Sequence, residues 1–228
     1  MAPMRDGNPS TSGPWPAAAA CLSLLAGLPA GSAESGPAPA DSGYLRIVAV
    51  APAGPTGLRA PEGRWSIYLD GFIDSGASAR LGRLLDREQV HAAVVYFNSP
   101  GGHLVEAMLL GRLLRERGFD TSVGARAADT YVPAAGACFS ACPFAYAGGV
   151  RRSFEPGSIL GVHRARNRVP VTDEGNFQDV VSAQAEDYLA EMGVSRDLAS
   201  IMAAAPHDSI RYITLQEAGR LRLVTVER

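Results

Sequence analysis

The sequence contains no lysine: all 21 basic residues among its 228 are arginine. Mechanisms that use lysine as a general base, a Schiff-base amine or a phosphate-loop ligand are therefore excluded. The formal net charge is only −2, and no basic cluster marks a nucleic-acid or nucleotide site. Apolar residues make up 46% of the chain, which is enough for one globular domain, with or without a tail.

The sequence also lacks an apolar run of membrane-spanning length. The most apolar run, near the N-terminus, is too short to span a bilayer. Residues 17–28 are rich in Ala and Leu, follow an early positive charge at Arg5 and lead to small residues ending at Ala33. This pattern predicts a secretory signal peptide over residues 1–33, and hence a periplasmic or secreted protein. A disordered Ala/Pro-rich tail is the alternative.

Beyond the signal peptide, residues 34–63 are predicted to be a linker that includes a first strand, and residues 64–228 alternate between strand and helix patterns. The predicted strands are 44–50, 65–69, 92–97, 120–123, 158–163, 210–215 and 223–226, and the predicted helices are 74–85, 103–117, 141–147, 174–192, 195–204 and 216–221. The alternation predicts an α/β domain with a mostly parallel sheet. Ligands bind such sheets beyond the carboxyl ends of the strands, where the turn with Gly101 and Gly102 lies.

Residues 136–149 combine small side chains around Ser140 with a following apolar helical segment. A serine at a strand-to-helix turn lies near the unpaired N–H groups of the helix N-terminus, which can stabilise an oxyanion. Serine is a weak nucleophile and requires a base. Of the four histidines, His163 is the one that ends a predicted apolar strand. Taken without other information, a packing role for both side chains remains an alternative.

Three motifs occur in an order that resembles the Clp protease proteolytic subunit of the Clp/crotonase superfamily. They are Asn-Ser-Pro-Gly-Gly at 98–102, Gly-Ala-Cys-Phe-Ser-Ala-Cys at 136–142 and Gly-Val-His at 161–163. The Cys-x-Ser-Ala-Cys around the serine is most similar to the secreted ClpP-like predicted periplasmic proteins of bacteria. The resemblance covers residues 64–228 and implies a ClpP/crotonase-like fold of ββα repeats, as a single domain after the signal peptide.

The resemblance also implies the roles of individual residues. It makes Ser140 the nucleophile, His163 the general base, and the N–H groups of Gly102 and Ala141 the oxyanion hole. The third member of the triad departs from the family pattern, because alignment of residues 211–214 places Ile210 at the position of the acid. Asp208, two residues earlier, is the candidate acid, and capping of a turn is its alternative role. Without Asp208, the serine and the histidine would form a dyad of lower activity.

Cysteine is scarce, with three in the chain, and Cys21 lies within the predicted signal peptide. Cys138 and Cys142 flank Ser140 on either side. Two cysteines are too few for a zinc site, and we expect no metal and no cofactor. In an exported protein, we predict a disulfide between Cys138 and Cys142 that pins the nucleophile turn; two free thiols are the alternative.

Together these features predict an ATP-independent serine hydrolase, most plausibly a peptidase that acts on short peptides or unfolded proteins. No ATPase partner is expected outside the cytosol. The first alternative is a catalytically inactive binding or assembly protein of the cell envelope, and a weaker one is a crotonase-type acyl-CoA enzyme. Relatives assemble through the region that matches residues 174–192, so the resemblance also implies a homo-oligomer.

Overall fold

The computed structural model describes residues 43–52, 63–127, 132–166 and 172–226. They all belong to one structural unit, Ser35–Arg228. The predicted signal peptide, residues 1–33, and most of the predicted linker lie outside the described residues. Within the described ranges, no helix combines the length and the apolar character that crossing a membrane requires.

Ten strands and six helices are assigned in the described part of the chain. In chain order they are β1 (Leu45–Val50), β2 (Trp65–Gly71), α1 (Ala77–Arg87), β3 (Ala93–Asn98), α2 (Leu104–Glu116), β4 (Asp120–Val123), β5 (Ala125–Arg126), β6 (Pro133–Ala134), β7 (Ala137–Phe139), α3 (Cys142–Ala147), β8 (Arg152–Phe154), β9 (Ile159–Val162), α4 (Glu174–Glu191), α5 (Asp197–Ala204), β10 (Arg211–Ile213) and α6 (Leu215–Arg220).

A central sheet holds five strands in the order β1-β2-β3-β4-β8. The strands β2, β3, β4 and β8 run parallel, and the edge strand β1 is antiparallel to β2. Every residue of β3 is buried, as expected for a parallel strand covered on both faces, and this accounts for its nearly continuous apolar sequence. The prediction of an α/β fold with a mostly parallel sheet is confirmed.

A second, smaller sheet has the order β10-β9-β7. In it β9 is parallel to β7 and antiparallel to β10. Phe139 pairs with Gly161 in β9, so β7 ends one residue before Ser140 and its neighbour β9 ends one residue before His163. The small sheet therefore carries both candidate catalytic residues, and β5 and β6 form a separate short hairpin.

Helix α3 packs very closely against α2. A Cβ atom on Gly148, just after α3, would lie 2.1 Å from the carbonyl oxygen of Gly111 in α2. A Cβ atom on Gly111 would in turn lie 1.8 Å from the hydroxyl oxygen of Tyr188, which donates a hydrogen bond to the carbonyl of Phe144. Two glycines thus allow the backbones to approach, and the helix that follows Ser140 is fixed to the core.

Two arginines satisfy the carbonyl groups at the C-terminal end of α3. Arg115 donates to the carbonyls of Ala147, Gly148 and Gly149, and the buried Arg152 donates to those of Ala147 and Gly149. These are the acceptors that a helix end leaves without intrahelical partners. The cations also interact favourably with the negative end of the helix dipole.

Most predicted elements are confirmed to within a few residues, and one is wrong. Residues 223–226 do not form a strand. The N–H groups of Thr225 and Val226 both donate to the carbonyl of Arg152, and the Arg152 guanidinium donates to the carbonyl of Leu223, so the segment binds one residue of β8 and forms no ladder. Strands β5, β6 and β8 were not predicted, and β7 was implied by the strand-to-helix turn at Ser140 but given no bounds. None of the four is longer than three residues, which is too short for a period-two pattern to show.

We predict that Gly148→Ala lowers the free energy of unfolding by roughly 1–3 kcal/mol, because the added methyl group overlaps the backbone of α2. Gly219→Ala in α6 is the matched control: its Cβ would meet no atom within 4 Å, so stability should stay equal or rise by up to about 1 kcal/mol. Urea denaturation of both variants measures the difference. Equal stability of the two variants would contradict the close packing of α2 and α3.

Candidate active site

Ser140 and Ala141 form the turn between β7 and α3. Ser140 has φ +59°, a left-handed conformation that residues with side chains adopt infrequently and that often accompanies functional sites. Its N–H donates a hydrogen bond of 3.0 Å to the carbonyl of Gly161 in β9. The strand, the tight turn and the helix therefore hold the half-buried serine in a fixed orientation.

A disulfide joins Cys138 in β7 to Cys142, the first residue of α3, across the turn. The two Cα atoms are 5.2 Å apart, and both side chains are fully buried. This confirms the predicted disulfide. It ties together the two elements that flank Ser140, so the turn cannot open without unpacking the core around it.

The main chain of Ser99 connects the glycine turn to the nucleophile strand. Its N–H donates to the carbonyl of Ala137 at 2.7 Å, and its carbonyl accepts from the N–H of Phe139 at 3.0 Å. The Ser99 hydroxyl also accepts from the N–H of Gly101 at 3.1 Å. The end of the central sheet and the start of the Ser140 turn are thus joined through the backbone.

On its other side the glycine turn is held by Ile73. The N–H of Ile73 donates to the carbonyl of Gly101 at 2.8 Å, and the carbonyl of Ile73 accepts from the N–H of His103 at 2.9 Å. Side chains at the two glycines have no room, because a Cβ on Gly101 would lie 2.6 Å from the Cβ of Ser140 and one on Gly102 would lie 2.2 Å from the carbonyl oxygen of Ile73. The positive φ of Gly101, +106°, adds to this restriction.

The segment that carries Ile73 is itself anchored by Asp74. Its carboxylate accepts hydrogen bonds from the Arg80 guanidinium and from the N–H of Leu45. The hydrogen bonds from Arg80 are the main cause that holds the pKa of Asp74 below its ordinary value. The carboxylate is therefore charged at neutral pH, and the support for the glycine turn does not change in that range.

The main-chain N–H groups of Gly102 and Ala141 donate no hydrogen bond to any described residue. The turns that hold them occupy the neighbouring N–H groups instead: those of Gly101, His103 and Ser140 are all paired. Two unpaired donors beside a serine hydroxyl are the equipment of an oxyanion hole. The predicted donors are therefore free to bind a ligand oxygen.

His163 follows directly after the last residue of β9. Its Nδ1 atom lies 2.9 Å from the main-chain carbonyl oxygen of the next residue, Arg164. Within the described residues, the His163 ring and the Ser140 hydroxyl form no hydrogen bond with each other. In ligand-free active sites, such contacts are often long and shorten only when substrate binds.

A cavity of about 710 Å³ brings the candidate residues together. Ser140, His163, Gly102 and Ala141 all line it. The rest of its wall is mainly apolar and comes from the segments before α1 and α2 and from α2, α4 and α5; those residues include Phe72, Leu104, Val105, Phe177, Val180, Val181 and Met202. A mostly apolar concave site with a few convergent polar groups is typical of ligand-binding pockets.

Asp208 is not among the residues that line this cavity. It is exposed in the turn between α5 and β10 and makes no hydrogen bond or ion pair with His163 in the described structure. Its catalytic role therefore stays a prediction. Within the described ranges, no group of three or more His, Cys, Asp or Glu side chains is arranged to hold a metal ion.

Several residues that shape the site were not singled out from the sequence. Ile73, Ser99 and Phe177 are in this group. Ile73 acts through its main chain, and Ser99 acts through its main chain and its hydroxyl. Almost any residue type can make such main-chain contacts, so the sequence gives no signal for them. Phe177 carried a signal in the apolar pattern of α4, but the pattern alone does not show that this helix faces the cavity.

We predict that replacing both cysteines, Cys138→Ala with Cys142→Ala, lowers the free energy of unfolding by about 2 kcal/mol, the loop-entropy contribution for so short a closed loop. Chemical denaturation of the oxidised protein and of the double variant measures this. The double variant in reductant is the control and should not change further. Mass spectrometry that finds two free thiols in exported wild-type protein would contradict the pairing.

No protein-family profile matches the chain, and no curated protein matches it in sequence. Solved structures do match. ClpP1 from Listeria monocytogenes aligns with a TM-score of 0.51 and 17% identity over 70% of this chain and 88% of that one. A point mutant of that protein gives a TM-score of 0.52 at 16% identity with the same coverage.

A protease of another kind matches at a lower score. The 1510-N membrane protease specific for a stomatin homolog, from Pyrococcus horikoshii, gives a TM-score of 0.48 at 15% identity over 70% of each chain. Membership of the secreted subgroup stays a prediction. The likeness to ClpP1, at low identity, concerns the architecture, and it confirms what the three motifs indicated: the chain has the ClpP/crotonase fold.

Proposed function

We propose that this protein is a serine hydrolase, and specifically an ATP-independent peptidase. The observation that carries the proposal is the cavity, because Ser140, His163 and the free N–H groups of Gly102 and Ala141 all line it. A nucleophile, a base and two oxyanion donors in one concave site are the set of groups that acyl transfer requires. The fold is one in which proteases occur, and it agrees with this chemistry.

In the proposed reaction, His163 Nε2 accepts the proton of the Ser140 hydroxyl as its oxygen attacks the carbonyl carbon of the substrate. The negative charge that develops on the carbonyl oxygen is stabilised by the N–H groups of Gly102 and Ala141. His163 then donates the proton to the leaving amine, and the C–N bond breaks. A water molecule, activated by the same imidazole, hydrolyses the acyl-enzyme and restores Ser140.

We propose peptides and unfolded chains as the substrates, because the cavity offers room for more than one apolar side chain. Its volume of about 710 Å³ lies within the range of ordinary ligand sites. Arg166 is the one permanently charged residue of the described lining. Nothing in this mechanism requires an ATPase partner, a metal or a cofactor. We further propose that the protein acts as a homo-oligomer.

We also propose that the reaction takes place in the periplasm or outside the cell. The signal-peptide pattern of residues 1–33 supports this location. The disulfide between Cys138 and Cys142 supports it independently, because disulfides persist mainly in oxidising compartments.

We predict that a fluorophosphonate probe labels the wild-type protein, expressed from residue 34. Labelling should be lost in Ser140→Ala, and its rate should fall at least about 10³-fold in His163→Ala, on the order expected for loss of a catalytic base. Ser200→Ala and His207→Ala, which change exposed residues away from the cavity, are the matched controls and should keep the wild-type rate. Gel fluorescence and intact-mass measurements give the rates.

If folded, disulfide-bonded wild-type protein is not labelled, the serine is not activated and the proposal fails. The result would favour the alternative, a binding or assembly protein in which Ser140 and His163 are packing residues. Labelling that survives Ser140→Ala would place the reactive group elsewhere in the chain.

A further inference from the structure

We infer that the main-chain carbonyl of Arg164 occupies the place of a triad acid and orients His163, so that the site works without a carboxylate. This inference rests on the proposed function and concerns how the base of that reaction is held. It makes Arg164 a positioning residue that acts through its backbone and leaves Asp208 outside the reaction.

The contact between the two neighbouring residues defines the tautomer of the imidazole. His163 Nδ1 lies 2.9 Å from the carbonyl oxygen of Arg164. A carbonyl oxygen can only accept a hydrogen bond, so Nδ1 carries the proton and Nε2 keeps its lone pair. That is the tautomer with which Nε2 takes the proton from a serine hydroxyl.

The peptide groups that flank this carbonyl on both sides are anchored by tertiary hydrogen bonds. The N–H of Arg164 donates to the carbonyl of Ala205, at the end of α5, at 3.1 Å. The amide nitrogen of Gln178 in α4 donates to the carbonyl of Ala165 at 2.8 Å. These bonds fix the peptide groups on either side of the one between residues 164 and 165, and they thereby restrict the direction in which its oxygen points.

The strand position beside His163 is occupied by an apolar side chain. Arg211 pairs with Val162 in the antiparallel ladder, so Ile210 is the next residue opposite His163. A methyl group of Ile210 lies over Gly161, where an added Cβ would come within 2.4 Å of it. Within the described residues that line the cavity there is no carboxylate, and Asp208 makes no bond to the ring.

A carbonyl dipole supports the reaction differently from a carboxylate. It fixes the ring orientation and accepts the Nδ1 proton in a hydrogen bond throughout the cycle, while the transferred proton moves only between Ser140, Nε2 and the leaving amine. It offers a partial charge to the imidazolium and not a full one. We therefore expect the same order of steps as with a charged acid, but a lower rate of the acylation step that His163 assists.

The first test measures fluorophosphonate labelling of Asp208→Asn, with Asp179→Asn, an exposed acid of α4, as the matched control. Both variants should label within about twofold of wild type, because a surface charge has little effect on the reaction. A triad acid behaves otherwise: its amide replacement lowers the rate by about 10⁴-fold. A loss on that scale in Asp208→Asn alone would overturn the inference and make Asp208 the acid.

The second test reads the tautomer directly by ¹⁵N NMR of histidine-labelled protein, and it requires no activity. We expect a protonated Nδ1 on neutral His163 in wild type and in Asp208→Asn. Replacing Ala165 by lactic acid converts the amide after Arg164 into an ester with a weaker acceptor oxygen. The ester variant should lose the Nδ1–H preference and label about fivefold more slowly, the equivalent of one ordinary hydrogen bond.

A protonated Nε2 in wild type, or an ester variant that keeps both the tautomer and the labelling rate, would overturn the inference. These outcomes are separable from failure of the proposed function. If the spectra show Nδ1–H but no variant is labelled, the hydrolase proposal fails while the contact stands. If wild type is labelled but carries Nε2–H, the hydrolase stands and the inference fails.

Discussion

The pairing of Ser99 with β7 is the contact on which the candidate site depends. Two main-chain hydrogen bonds join the end of a strand in the central sheet to the strand that carries Ser140. One sheet supplies the Gly102 donor and the other supplies the nucleophile and the base, so the distance between them is set where the sheets meet. Ile73 braces the same turn from the opposite side, and the disulfide fixes the far side of the nucleophile. The site is therefore held together mainly by main-chain hydrogen bonds, with one disulfide as the principal side-chain contribution.

Because the site is built mainly from main-chain contacts, a few positions must be glycine and most others can vary. Gly101 and Gly102 cannot carry a side chain, because the nucleophile and Ile73 lie against them. Gly111 and Gly148 are restricted in the same way, one layer further from the site. The apolar wall of the cavity, by contrast, can change in shape while the donors stay in place. Such an arrangement suits a fold that hosts several activities on one backbone.

The parallel sheet and the helices could be predicted from the sequence alone, because they leave patterns in composition and period. The candidate residues around Ser140 were named from the order of three short motifs. The buried strand β3 shows a continuous apolar run, and α1 repeats an apolar residue every fourth position. Residues 223–226 were also predicted to be a strand, yet in the described structure they bind one residue of the edge strand β8, Arg152, and form no ladder with it. Local pattern does not encode the presence of a partner. A carboxylate such as that of Asp208 can be recognised in a sequence as a candidate acid. The main-chain carbonyl of Arg164 cannot, because every residue type has one.

The two arginines at the C-terminal end of α3, Arg115 and the buried Arg152, have a consequence for the electric field at Ser140. The six residues of α3 separate the carbonyls that these arginines bind from the Ser140 turn, a distance of about 9 Å along the helix. Burial lowers the pKa of the Arg152 guanidinium, but arginine stays protonated in folded proteins. Burial lowers the pKa of a lysine much closer to neutrality, so the field of a lysine in that place would depend on pH. Because arginine stays protonated, its contribution to a potential that favours an anion beside the nucleophile does not change across neutral pH.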